Sequence, residues 1–117
     1  MAATIELVRR MALALPGVRE GVCFGTPAFY VGRKLMLRLR EDGEMLVVRF
    51  PRENRAALIE ENPDAFSVTD HYRNYPAVLV NLLAVNRKLL GRMIEGAWRL
   101  QASGQQVSAY DRSRAES

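Results

Sequence analysis

The sequence predicts an α+β fold, a two-layer sandwich in which helices gather on one face of an antiparallel sheet, from three observations. Apolar residues recur at helical spacing at both ends of the chain, at Ile5, Val8, Ala12 and Leu15 and again at Leu89, Leu90, Met93, Ile94, Ala97 and Trp98. Between them, two strand-like runs flank Asp42-Gly43, a dipeptide suited to hairpin turns. Residues 77–83 (AVLVNLL) are apolar on both faces, as a central strand must be. Helices and sheet then bury their apolar faces against each other.

The first helix runs from Thr4, a good N-cap, to Leu15, and Pro16-Gly17 ends it. Residues 23–31 (CFGTPAFYV) are aromatic and β-branched but interrupted by Gly25 and Pro27, which suits an edge strand or a bulged start to the sheet. Gly32-Arg33 reads as a tight turn. Residues 34–40 (KLMLRLR) and 45–50 (MLVVRF) then form a hairpin about a two-residue Asp42-Gly43 loop. Pro51 opens a short helix to about Glu61, stopped by Asn62-Pro63. Residues 65–69 form a strand, 70–76 (DHYRNYP) a loop and 77–83 the central strand. Asn86 caps a last helix to about Gln101. The order is α-β(3)-α-β(2)-α, with one domain over residues 1–102 and a loose polar tail over 103–117.

The hairpin register places Arg40 opposite Met45, Arg38 opposite Val47 and Met36 opposite Arg49 on one side. Leu35, Leu37, Leu39, Leu46, Val48 and Phe50 fall on the other, which must face the core. The polar side reads first as a solvated face whose arginine stems cover apolar surface. Its functional reading is a basic surface of Arg38, Arg40 and Arg49, extended by Arg33 and Lys34, that meets phosphates or a second subunit.

At 117 residues the chain buries enough surface to fold without staples. It carries 17 basic and 13 acidic residues, and 15 of the basic ones are arginines, whose guanidinium groups match phosphate geometry. No apolar run reaches the roughly 20 residues of a membrane span, and no signal peptide opens the chain, so a cytoplasmic location is expected. His71 and Cys23 are the only residues of their types, which excludes zinc sites built from histidine and cysteine. Phosphate loops, dinucleotide-binding turns and nucleophile elbows are absent. No cofactor, metal or catalytic set is therefore expected. Cys23, between Val22 and Phe24, reads as a small buried hydrophobe. The stretch His71-Tyr72-Arg73-Asn74-Tyr75-Pro76 reads better as rings closing over a sheet edge than as a ligand site, although its rings could stack on bases while Arg73 holds a phosphate.

Leu15-Pro16-Gly17-Val18, the run from Phe24 to Lys34, His71-Tyr72-Arg73, Tyr75-Pro76-Ala77-Val78-Leu79-Val80 and Ala97-Trp98 together resemble the MmcQ/YjbR family over about residues 5–101. The resemblance implies a fold like that of type III secretion chaperones and, through a likeness to double-wing domains, DNA binding. That likeness is a fold analogy and supplies no catalytic residues. The expected function is a non-catalytic DNA-binding domain using arginine–phosphate contacts. The alternatives are a protein-interaction module or homodimer docking through the sheet, and an enzyme or small-ligand binder using residues 70–76.

Overall fold

The computed structural model describes residues 3–116 and has the α+β architecture expected. Its elements are α1 (Ile5–Leu13), β1 (Val18–Cys23), β2 (Thr26–Val31), β3 (Lys34–Leu39), β4 (Met45–Arg49), α2 (Arg52–Glu61), β5 (Phe66–Ser67), a 3₁₀ turn (Asp70–Tyr72), β6 (Ala77–Asn81), α3 (Arg87–Gln101) and α4 (Gly104–Glu116). The six strands form one antiparallel sheet in the order β1-β2-β3-β4-β6-β5. β6 is interior and buried on both faces, as its sequence requires.

Caps form where the side chains allow them. Thr4 accepts from the Leu7 N–H and Asn86 from the Leu89 N–H, each satisfying a donor that the helix cannot. α1 and α3 pack on one face of the sheet, closing a core of Val8, Phe29, Met36, Leu37, Leu46, Val48, Leu90, Ile94 and Trp98. The Trp98 indole N–H donates to the Pro16 carbonyl at 2.8 Å and Gln101 Nε2 to the Leu35 carbonyl at 2.8 Å, tying α3 to the first half of the chain.

Four features depart from the sequence reading. β1 adds a strand, because Phe24-Gly25 is not a strand interior but a hairpin turn: both residues have positive φ, 53° and 78°, as a type I′ turn requires. The β3–β4 register is as expected, with Arg38 opposite Val47, but its turn differs. The Gly43 N–H donates to the Arg40 carbonyl, Gly43 has φ +74°, and Asp42 Oδ1 accepts from the Glu44 and Met45 N–H groups. The loop is therefore a type I turn followed by a left-handed glycine.

Third, a β-bulge interrupts β3. Phe29 pairs with Leu37 and Tyr30 with Leu35, leaving Met36 as the extra residue. Met36 thereby turns into the core beside Leu37, and Leu35 turns to the opposite face, reversing the alternation expected for both. Fourth, residues Gly104–Glu116 form α4 and not a loose tail. Ser103 Oγ accepts from the Gln106 N–H while Gln106 Oε1 accepts from the Ser103 N–H, a capping box. Val107 and Tyr110 pack on the main core, the Tyr110 ring lying 4.9 Å from that of Trp98.

Candidate functional site

The sheet face away from α1 and α3 is not left to solvent. Residues 70–76 cross it, and Tyr72 and Tyr75 pack on Val47, Ala77 and Leu79 as a second, smaller core. Arg55 holds this segment in place. On α2 it shares a face with Leu58 and Ile59, at spacings of three and four, and is only 8% exposed. Its Nη1 donates to the carbonyls of Tyr72 (3.2 Å), Tyr75 (2.8 Å) and Ala77 (2.8 Å), and its Nη2 donates to that of Arg73. One guanidinium thus satisfies backbone acceptors along a segment with little regular structure.

A groove opens between this segment and the β1–β2 hairpin. Its deeper part is a pocket of about 270 Å³ with Leu35, Val47 and Cys23 beneath and the rings of Phe24, His71, Tyr72 and Tyr75 around it. A shallower hollow of about 410 Å³ adjoins it, shares Phe24, Arg38, His71 and Tyr72, and adds Arg40, Glu41 and Thr69. Leu35 reaches the pocket because of the bulge. Phe24 is 80% exposed and adopts the left-handed conformation, which costs a non-glycine residue about 1–2 kcal/mol. The His71 and Tyr72 rings meet edge-on at 4.8 Å.

Arg38 links the two sides. It is 8% exposed, lies 5.1 Å from the Phe24 ring centre, and donates to the Tyr72 hydroxyl at 3.0 Å, Glu41 at 3.2 Å and the Leu39 carbonyl at 3.3 Å. Burial works against its charge, but the bonds to Tyr72 and Glu41 outweigh this and raise its pKa above the ordinary arginine value. Glu41 is held below the usual carboxylate range by its own backbone N–H and by Arg38.

The remaining sequence-derived positions separate. Arg49 is half-buried and stacks on Tyr75 at 5.0 Å. Arg73 is exposed and paired with Asp70. Arg40 is half-exposed at the groove. Arg33, in the β2–β3 turn, and Lys34, the first residue of β3, are exposed at the other end of β3 from Arg40, ~20 Å away at the usual rise per strand residue. The structure therefore brings Arg38, Arg40, His71 and Tyr72 together and leaves Arg33 and Lys34 apart. Cys23 is half-buried and lines the pocket instead of sitting in the core. Phe24 and Arg55 were not singled out from sequence. Their signals are a two-residue X-Gly linker between β-branched runs and an arginine on the apolar side of a short helix. Among the described residues no group of three or more histidine, cysteine, aspartate or glutamate side chains could hold a metal ion, and no helix is long and apolar enough to cross a membrane.

The family model described as YjbR matches residues 13–100, most of the chain and nearly all of the sheet and α3. This chain belongs to the YjbR family. The YjbR domain is 38% identical over 69 residues to the uncharacterized protein Rv2570 of Mycobacterium tuberculosis, a match covering 58% of this chain and 54% of that protein. Uncharacterized protein Mb2600 of Mycobacterium bovis matches with the same figures. The matched region thus spans about half the length of these relatives. Among solved structures, the crystal structure of Deinococcus radiodurans protein DR2400, family-model domain DUF419, superposes with a TM-score of 0.73 at 23% identity, covering 85% of this chain and 78% of that chain. The fold is shared at that distance.

Proposed function

We propose that this YjbR domain is a non-catalytic, cytoplasmic binding module for DNA that engages an unpaired strand across the groove between the β1–β2 hairpin and residues 70–76. The observation that carries the reading is Phe24, a large apolar ring kept in water on a costly backbone conformation at the rim of an aromatic pocket. Backbone strain of this kind concentrates at functional positions, and exposed rings stack on bases whatever their sequence. Arg40 at the groove and Arg73 on the flanking segment are placed to meet phosphates, while Arg38 and Arg49 position aromatic rings. The contribution of arginine to binding is therefore smaller than a full basic face would give.

The test is fluorescence anisotropy with a labelled single strand of about a dozen nucleotides, within the span of known single-strand sites, and with the matching duplex, across salt. The single strand should bind more tightly. Replacing Arg40 and Arg73 together with glutamine should flatten the slope of log K against log salt by about 1.4, at ~0.7 per phosphate contact on single strands. Equal affinity for duplex, or an unchanged slope, overturns the reading.

A protein-binding role is favoured by a different observation. Val22 and Phe24, 72% and 80% exposed, lie at the end of the edge strand β1. A mass that rises with concentration in sedimentation equilibrium, and falls back on Phe24→Ser, would select self-association over strand binding.

A further inference from the structure

We infer that the pocket beside Phe24 seats one planar heteroaromatic ring system, the size of a single nucleobase, an assignment that rests on the reading of this groove as a strand-binding surface. Its volume, about 270 Å³, falls just under the roughly 300–1,000 Å³ of sites for whole drug-sized ligands, so it suits one ring system and not an extended molecule. Its lining is suited to a flat occupant: Leu35 and Val47 supply apolar contact, and the rings of Phe24, His71, Tyr72 and Tyr75 supply aromatic faces and edges.

The polar chemistry is equally selective. The Tyr72 hydroxyl accepts a hydrogen bond from Arg38 Nη2, and its own proton has no acceptor among the described residues. A phenol in that position donates to a ring carbonyl or ring nitrogen and cannot satisfy an aliphatic group. Arg38 is itself fixed by Glu41 and the Leu39 carbonyl, so the donor is preorganised before any ligand arrives. The adjoining hollow, carrying Arg40, leaves room for the sugar and phosphate attached to the ring. The bulge is the structural reason the pocket exists, because without it Leu35 would face the core.

Cys23, the protein's single cysteine, gives a reversible block. Benzyl methanethiosulfonate forms a mixed disulfide with its thiolate, releasing the sulfinate and placing a phenyl ring in the pocket, and dithiothreitol removes it. The pocket is read by NMR from the Leu35 and Val47 methyl resonances during titration with free thymidine, with ribose as the sugar control. Thymidine should shift these methyls, ribose should not, and benzylation should abolish the shifts until the disulfide is reduced. Cys23→Phe provides the same block without chemistry, its folding checked by the rest of the methyl spectrum. No thymidine shift up to its solubility limit, or equal shifts with ribose, overturns the inference whatever an oligonucleotide does. Strand binding is decided separately by anisotropy. If the strand binds, benzylation should weaken it about 5- to 150-fold, the equivalent of one base stacked on aromatic side chains. If no strand binds while thymidine shifts persist, the strand reading falls and the ring pocket stands.

Discussion

Replacing Arg55 with alanine tests whether one buried guanidinium holds the outer-face segment. Four backbone carbonyls accept from it, and the bond to Ala77 is fully buried. A buried acceptor left without a partner costs about 1–3 kcal/mol, while part-buried ones that water can reach lose nearer 0.5–1.5 kcal/mol each. The substitution also relieves the cost of burying a charge. The expected net loss is about 3–4 kcal/mol, a large part of the 5–15 kcal/mol typical of a domain. For a chain of this size that corresponds to a Tm lower by about 12–16 °C. Thermal and urea melts followed by circular dichroism give the number. Arg73→Ala, which removes an exposed ion pair, is the control and should cost less than about 1 kcal/mol. Arg55→Lys should fall between, since one ammonium cannot fan across four carbonyls. An Arg55→Ala variant within about 1 kcal/mol of wild type would refute the bracing role.

Tyr72→Phe should cost about 1.5–3 kcal/mol by removing the hydroxyl that Arg38 bonds, and Tyr75→Ala about 2–4 kcal/mol by emptying the small outer core, both read by urea melts. Unchanged midpoints would mean that the rings do not pack in solution. Arg99 lowers the Asp111 carboxylate pKa below its ordinary value of 3.8. A depressed folded pKa contributes stability above the unfolded pKa and loses it as pH falls through the folded one. Docking of α4 should therefore stay constant from neutrality to about pH 4 and loosen below it, seen as a red shift of Trp98 fluorescence. Asp111→Asn should remove that acid-dependent step, and an identical acid profile in the variant would count against the ion pair. Gly43→Ala meets nothing within 4 Å of its new Cβ and should cost only the left-handed backbone term, about 1–2 kcal/mol. Gly17→Ala has similar φ and would place its Cβ 2.5 Å from Nε2 at the flexible end of Gln106, so any added cost is that of the capping bond from Ser103 N–H to Gln106 Oε1; equal losses would show that the side chain turns aside with its cap intact.

The sequence made the fold class legible because α1, α3, β6 and the β3–β4 register each rest on a strong local signal. Thr4 and Asn86 cap as expected, and one apolar side of the hairpin pins its pairing. Two errors came from reading composition where spacing mattered. α4 looked polar, yet Ser103 and Gln106 spell a capping box, and Val107 and Tyr110 are three residues apart on one helical face. Phe24-Gly25 reads as part of a strand from the aromatic and β-branched composition of residues 23–31, whereas the two-residue spacing marks a turn that holds Phe24 at a positive φ rare for an aromatic residue. The bulge had no local signal at all. Whether Met36 or Leu35 enters the core is decided by packing against β2 and α3, a tertiary outcome. The site is legible to the same degree: residues 70–76 stand out by composition, but their closure over Leu35 and Cys23 depends on the bulge, the turn and Arg55.

The ties from α3 back to Pro16 and Leu35 also set an order of events during synthesis. The leucine-rich side of β3 and β4 leaves the ribosome about 50 residues ahead of Ile94, Trp98 and Gln101. At about 5–20 residues per second that interval lasts roughly 3–10 s. During it the hairpin carries an apolar face that α3 does not yet cover. The nascent sheet is thus a natural client for a holding chaperone, and slowed translation between β4 and α3 should raise the aggregated fraction without changing the stability of the finished domain.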